Sequence, residues 1–218
     1  MGLKVNDYNR LHESVYIFGR IKRYIRIALL RRTANVLWNR LSSNSIIKLE
    51  LGSGTKKGCG GWTTVDLYGA DINYDLKRGI PLGQSSVDMI YTSHMLEHFN
   101  YNDLIIFIKE CYRVLKPNGK LLVCVPNSRC YIEAYVNGHH FRDPNDLYQP
   151  ARIDTGSLID QVNYVAYMSD QHKYMFDEEN LVNTLKKVEF SSVLLRSFDG
   201  SIDIKDREYG SIYAVAVK

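Results

Sequence analysis

The sequence predicts a single α/β domain built on a largely parallel sheet. Apolar segments of strand length alternate with segments of helical periodicity, and the 218-residue chain is 45% hydrophobic, enough for a sizeable core. Seven strands are predicted, over Ile46–Leu51, Trp62–Leu67, Ala70–Tyr74, Val87–Ser93, Lys120–Val125, Ser191–Arg196 and Ser211–Val217. Helices on both faces of the sheet are expected from near His94, over Asp103–Leu115 and over Asp177–Lys187.

The first predicted strand runs directly into a glycine turn, in which Glu50 precedes Gly52 by two residues and Gly54 follows. Glycine has no Cβ, so the backbone of such a turn can pass close under a nucleotide-like ligand. A carboxylate at Glu50 would repel a pyrophosphate and attract an amino group or a sulfonium. The spacing also departs from the dinucleotide fingerprint, which has a third glycine where this chain has Lys57. Without further motifs, an ordinary tight turn remains an equal alternative.

The connection from the glycine turn to the second strand is unusually short. Only seven residues, 55–61, separate Gly54 from Trp62. A crossover between parallel strands normally takes a dozen or more residues and contains a helix. The sequence therefore predicts that the first crossover helix is reduced or missing.

Residues 1–44 are predicted to form a basic, amphipathic helical extension of the domain at 45–218. Eight of the 28 basic residues lie between Ser14 and Leu49, where there is no acidic residue. The rest of the chain therefore has 20 basic and 24 acidic residues and is net negative. Two interpretations of the segment Arg20–Arg40 remain open. Packing of its apolar face on the domain is favoured, and peripheral contact with an anionic membrane surface is the alternative.

The cysteines and the hydropathy pattern favour a cytoplasmic protein. The four cysteines contain no Cys-x-x-Cys pair, and two of them lie in apolar patterns, as expected of reduced structural thiols. No run of eighteen apolar residues and no signal-peptide pattern is found. We therefore expect a cytoplasmic location, with the membrane-peripheral alternative resting on the basic segment.

An ordered set of motifs resembles the class I S-adenosylmethionine-dependent methyltransferases. The motifs are Leu49–Gly54, Val65–Leu67, Ala70–Leu76, Val87–Tyr91, Ser93–His98 and Tyr112–Lys120. The short glycine loop and the tail with His172–Phe176 resemble a methyltransferase type 11-like subgroup associated with polysaccharide biosynthesis. The resemblance covers about residues 46–218 and departs from the subgroup at Ser53 and Glu189. It implies a Rossmann-like class I methyltransferase fold, with residues 131–175 as a lid or acceptor region.

The resemblance implies binding of S-adenosylmethionine, with S-adenosylhomocysteine as the product. Glu50 with the glycine turn suits the amino acid part of this cofactor, and Asp66, at the end of the second strand, suits the ribose hydroxyls. Asp75 and Leu76 are placed to flank the adenine. The full set of predicted cofactor-binding residues is Glu50, Gly52, Ser53, Gly54, Asp66, Leu67, Asp75, Leu76, Ser93 and His94.

Transfer of a methyl group to a hydroxyl requires removal of a proton, which makes histidine the expected base. His172 is the first candidate, followed by His98 and His94, each with a structural role as the alternative. No metal ligand is expected, because the adjacent His139 and His140 would point apart.

We expect a sugar, glycan or related polar small molecule as the acceptor, because aromatic residues are frequent in 131–175. Nucleic acid is disfavoured, because neither an Asp/Asn-Pro-Pro-aromatic run nor a Pro-Cys pair occurs. A catalytically degenerate cofactor-binding or scaffold protein is the alternative function.

Overall fold

The computed structural model describes residues 33–56, 58 and 60–218, and its centre is a seven-stranded sheet. The strands are β1 (Lys48–Leu51), β2 (Trp62–Asp66), β3 (Ile72–Asn73), β4 (Val87–Ser93), β5 (Leu115–Pro126), β6 (Ser192–Leu195) and β7 (Ser211–Val217). Their order is β3-β2-β1-β4-β5-β7-β6, and β7 runs antiparallel to both of its neighbours. The mostly parallel, Rossmann-like sheet predicted from the sequence is confirmed.

Helices connect the strands, and their positions correct the prediction in two places. The helices are α1 (33–41), α2 (Tyr101–Val114), α3 (Ser128–Val136), α4 (Ile159–Tyr167) and α5 (Glu178–Leu185), with short 3-10 turns at Leu76–Arg78, Leu96–His98 and Lys205–Arg207. The helix expected from near His94 is only the 3-10 turn, because His94 has a φ of 50°, outside the right-handed helical region. α3 and α4 lie in a stretch that we expected to be less regular.

Both faces of the sheet are buried, which follows from the alternation of side chains along each strand. Ile90 of β4 and Val123 of β5 belong to the main core cluster, together with Leu104 and Ile108 of α2. The adjacent residues Tyr91, Leu122 and Cys124 of the same two strands belong to a second, smaller cluster, together with Tyr213 of β7. Strands that are covered on both faces have nearly continuous apolar sequences, as the second half of β5 does, from Leu121 to Pro126.

The connection between β1 and β2 contains no helix among its described residues, as the sequence predicted. A carboxylate stabilises this loop instead. Asp71 Oδ2 accepts hydrogen bonds from the backbone N–H groups of Gly58, at 2.9 Å, and Thr64, at 3.1 Å. The loop is therefore tied to the start of β3 rather than covered by a crossover helix.

Of the predicted N-terminal extension, residues 33–44 are described, and 33–41 are helical. Ala34, Trp38 and Leu41 are buried in the main core cluster, and the Trp38 ring meets that of Tyr74 edge-on at 5.8 Å. The basic residues of Arg20–Arg32 lie outside the described part of the chain, so membrane contact stays a prediction. None of the described helices is long and apolar enough to cross a bilayer.

Candidate functional site

The site lies at the carboxyl ends of β1, β2 and β4, where the strand order reverses between β1 and β4. Open α/β sheets bind ligands in the crevice at such a point. Two cavities, of about 270 and 220 Å³, adjoin there and share Gly52, Asp66, Met95 and His98. The larger is also lined by Glu50, Ser53, Gly54, Ser93, His94, Ile204 and Arg207, and the smaller by Leu67, Tyr74, Asp75, Leu76, Lys77 and Phe99. The structure thus brings together every predicted cofactor-binding residue.

The glycine turn shapes the floor of both cavities. Gly52 has a φ of 72°, and its N–H donates to Val65 O at 2.9 Å. A Cβ at this position would lie 2.3 Å from Met95 Cγ, so only glycine fits beneath the Met95 side chain. Gly54 also has a positive φ, of 65°, but a Cβ there would meet no atom within 4 Å. The backbone at Gly54 therefore leaves open space beside the larger cavity.

Glu50 provides a buried negative charge at the end of β1. It is 5% exposed, and Lys56 Nζ lies 3.0 Å from its Oε2. Lys56 belongs to the glycine-rich loop, and its side chain is more exposed than that of Glu50. The buried carboxylate is therefore paired with a cation from the glycine-rich loop.

Asp66 and Asp75 each combine a structural hydrogen bond with a position on the cavity wall. Asp66 Oδ2 accepts from Gly54 N–H at 2.8 Å, and its Oδ1 accepts from Leu67 N–H at 2.6 Å. Asp75 Oδ1 caps the following 3-10 turn by accepting from Lys77 N–H at 3.1 Å. A carboxylate has about four lone-pair sites, so both side chains keep acceptor capacity for a ligand.

Arg207 is a site residue that the sequence analysis missed. Its Nη1 donates to Ser93 O at 2.7 Å and to Ser93 Oγ at 2.8 Å, which places a positive charge on the wall of the larger cavity. Arg207 ends the 3-10 turn before β7 and lies 114 residues from Ser93 in the chain. Nothing local distinguishes it from the other basic residues, so the sequence carried no signal for it.

His94 is poorly suited to accept a proton. Burial, together with the nearby Arg207, lowers its pKa to about 3, so its imidazole is neutral and weakly basic at physiological pH. His94 Nε2 lies 2.9 Å from Ser211 Oγ at the start of β7. This contact suits a positioning role at the cavity wall.

The other two candidate histidines lie against each other, with ring centroids 5.1 Å apart. His98 borders both cavities, whereas His172 is buried and borders neither. Burial also lowers the pKa of His172. Beside them lies Glu97, which is 2% exposed, and burial raises the pKa of its carboxyl to about 8. Glu97 was not among the predicted site residues.

The aromatic residues of the predicted lid pack mainly on their own region. Tyr131 is buried against Phe141, with ring centroids 4.8 Å apart, and Tyr148 lies against His140 at the same distance. None of these side chains lines the two cavities described above. Packing within the region therefore accounts for them, and the role of 131–175 as a lid stays a prediction.

Comparisons with known proteins match parts of this chain. A family model described as a methyltransferase domain matches residues 68–123. A protein of Mycolicibacterium smegmatis, described as a probable S-adenosylmethionine-dependent methyltransferase, is 33% identical over 91 residues, which cover 40% of this chain and 35% of that relative. The match therefore spans about a third of the relative's length.

Several solved structures of methyltransferases are also partly similar to the fold of this chain. One from Archaeoglobus fulgidus, described as a SAM-dependent methyltransferase, has a TM-score of 0.48 and 16% identity, covering 93% of this chain and 99% of its own. Another, a 1,6-didemethyltoxoflavin-N1-methyltransferase of Burkholderia thailandensis with bound S-adenosylhomocysteine, has a TM-score of 0.45 and 15% identity, covering 100% of this chain and 92% of its own.

Proposed function

We propose that this chain is a class I S-adenosylmethionine-dependent methyltransferase that methylates a hydroxyl group of a sugar, a glycan or a related polar small molecule. The observation that carries the proposal is the grouping of Glu50, Gly52 and Asp66 around one crevice at the switch point of the sheet. An acid, a tight glycine turn and a second acid are the groups that the parts of S-adenosylmethionine require.

The residues present fit this cofactor along its whole length. The carboxylate of Glu50 suits the amino group of the methionine part, and the guanidinium of Arg207 suits its carboxylate. Asp66 is placed for the ribose hydroxyls, and Asp75 with Leu76 for the adenine. When bound, the cofactor supplies a methyl group that its sulfonium already activates for displacement.

The chain's own contribution to the reaction is mainly positioning. Holding an acceptor in line with the methyl carbon can supply a large part of the acceleration. A hydroxyl acceptor must also lose its proton. Of the three candidate histidines, His98 is the one that borders both cavities, so we place the acceptor hydroxyl beside it.

A sugar-like acceptor is supported by the resemblance of the short glycine loop to the polysaccharide-associated subgroup. Nucleic acid is a poorer candidate, because the chain lacks the motifs of the nucleic-acid amino- and C5-methyltransferases. The three described cysteines are free thiols, which suits a cytoplasmic location among nucleotide sugars.

The proposal is tested by a turnover assay with S-adenosylmethionine and a panel of nucleotide sugars and oligosaccharides. We expect S-adenosylhomocysteine to form with at least one sugar acceptor, and mass spectrometry to place the methyl group on oxygen. Glu50→Gln should reduce the rate at subsaturating cofactor, whereas the exposed Lys187→Gln should not. Cofactor binding without turnover on any acceptor would favour the degenerate binding protein instead.

A further inference from the structure

We propose that Glu97, His98 and His172 bind one divalent transition-metal ion, such as Zn²⁺, at the wall of the cofactor crevice. One ligand atom from each residue lies within 4.8 Å of the other two. No metal site could be predicted from the sequence, because Glu97 and His98 are 74 or more residues from His172. The fold brings them together.

Glu97 is the first reason for the proposal. Its side chain is buried, and neither carboxylate oxygen has a hydrogen-bond partner among the described residues. Buried carboxylates are normally paired with a cation or bound to a metal, because removing the charge from water is costly. A metal ion would supply both the compensating positive charge and a partner for the carboxylate oxygens.

The two histidines are the second, independent reason. His98 Nδ1 lies 3.0 Å from Gln171 O, and His172 Nδ1 lies 2.8 Å from Val165 O. A carbonyl oxygen only accepts, so Nδ1 of each ring carries the hydrogen, and Nε2 is left with a free lone pair. Metal-binding histidines are typically oriented in this way, with the second ring nitrogen donating to a backbone carbonyl.

The backbone holds the two halves of the cluster in place. Glu97 O accepts hydrogen bonds from Lys173 N–H at 2.7 Å and from Tyr174 N–H at 3.2 Å. Ligands about 2.1 Å from a tetrahedral zinc ion lie roughly 3.4 Å from one another. Displacements of the ligand atoms by about 1 Å, through small side-chain rotations, are therefore enough to bring all three to bonding distance of one ion.

The donor set indicates the kind of ion. Two imidazoles and one carboxylate suit Zn²⁺ and similar transition metals, whereas Mg²⁺ and Ca²⁺ prefer oxygen ligands throughout. Three protein ligands also leave a coordination position open, as in catalytic rather than structural zinc sites.

The role of the ion rests on the proposed function. Because His98 borders both cavities, the open position can receive the acceptor hydroxyl. There the hydroxyl loses its proton to solvent more readily. Its oxygen then forms the bond to the methyl carbon, while the carbon–sulfur bond breaks and its electron pair stays on sulfur, which leaves neutral S-adenosylhomocysteine.

The test uses the full chain, freed of metal with a chelator and titrated calorimetrically with Zn²⁺. We expect one ion per chain, and affinity losses of at least about 100-fold in Glu97→Gln, His98→Gln and His172→Gln, as expected when a direct ligand is removed. The matched control His139→Gln changes a histidine outside the cluster and should bind as the parent does. Absence of a stoichiometric ion, or equal binding by the cluster variants, would overturn the site.

A second measurement guards against variants that fail to fold. In the parent protein labelled with ¹⁵N-histidine, Zn²⁺ should shift the Nε2 resonances of His98 and His172 and leave Nδ1 protonated; unchanged Nε2 resonances would overturn the site. Neither readout needs S-adenosylmethionine, so failure of the metal site is distinguishable from failure of the proposed function. Turnover that is unchanged by the chelator would overturn the role of the ion in the reaction.

Discussion

Lys56 Nζ lies 3.0 Å from Glu50 Oε2, so the glycine loop places its own ammonium group on the carboxylate proposed to bind the cofactor's amino group. The two cations cannot both occupy the same face of this buried carboxylate. Binding of S-adenosylmethionine therefore requires Lys56 to move, and the ion pair opposes binding by the free energy needed to break it. In the cofactor-free protein, the same pair compensates the burial of Glu50.

Lys56→Met should consequently bind S-adenosylmethionine more tightly than the parent. We expect the dissociation constant to fall by roughly 3- to 10-fold, the equivalent of about 1 kcal/mol for a partly exposed ion pair. Isothermal titration calorimetry measures the change, and the exposed Lys187→Met serves as the control. Weaker binding by Lys56→Met would mean that Lys56 contacts the cofactor instead of competing with it.

Gly52→Ala should abolish cofactor binding, because its Cβ would lie 2.3 Å from Met95 Cγ on the floor of the crevice. Gly138→Ala is a matched control, since Gly138 has a similar φ, of 76°, but no atom within 4 Å of the new Cβ. The control should lose only about 1 kcal/mol of stability, from the positive φ, and should bind normally.

The double variant Gly52→Ala with Met95→Ala separates the collision from the backbone strain at Gly52. Met95→Ala removes the contact with Cγ but leaves Met95 Cβ 2.7 Å from the new Cβ, so thermal denaturation should show only partial recovery of stability. An unaltered melting temperature in Gly52→Ala alone would contradict the contact.

The ion pair of Arg196 and Asp203 is predicted to stabilise the segment that presents Arg207. Arg196 Nη1 lies 2.5 Å from Asp203 Oδ2, and the two side chains are 16% and 0% exposed. Asp203→Asn should cost about 3 kcal/mol, because it leaves a largely buried guanidinium without its charged partner. Asp146→Asn removes a comparable partner from Arg142, but at an 84% exposed side chain, and should cost less than about 0.5 kcal/mol. Urea denaturation measures both, and equal effects would contradict the account.

Glu110 makes stability depend on pH. The hydrogen bonds from Arg113 hold the pKa of the Glu110 carboxyl below its ordinary value, despite partial burial. A group whose pKa is lowered by folding stabilises the protein above its unfolded pKa, and that contribution is lost as the pH falls through the folded pKa. Glu110→Gln should therefore cost roughly 1–2 kcal/mol at pH 7, and the difference from the parent should shrink below about pH 4.

Urea denaturation at pH 7 and near pH 3 measures this difference for Glu110→Gln. The exposed Glu189→Gln is the control and should track the parent at both pH values. A difference between Glu110→Gln and the parent that stays constant with pH would show that the carboxylate charge is not responsible.

Local sequence patterns were sufficient to predict the strands of the sheet and the candidate cofactor-binding residues. β4 and β7 have the predicted bounds, because continuous apolar runs bounded by turns are read directly from sequence. The acid–glycine turn and Asp66 follow buried strands, so their meeting at one edge of the sheet is a consequence of parallel pairing.

Contacts between distant segments could not be predicted. Arg207 meets Ser93 because β7 pairs with β5, and Glu97 meets His172 through the backbone pairing of residue 97 with 173 and 174. α3 and α4 were missed for a related reason. They are stabilised by packing on each other, rather than by a strong helical pattern of their own.

Calorimetric titration of the parent chain with S-adenosylhomocysteine, compared with Asp66→Asn, tests the central claim most directly. The substitution keeps an oxygen for the Gly54 N–H but removes the charge proposed to accept from the ribose hydroxyls. We predict one ligand per chain in the parent, and affinity reduced by roughly 10- to 100-fold in Asp66→Asn, as expected for the loss of a charged hydrogen-bond acceptor. No binding by the parent, or equal binding by Asp66→Asn, would contradict the assignment of this crevice as the cofactor site.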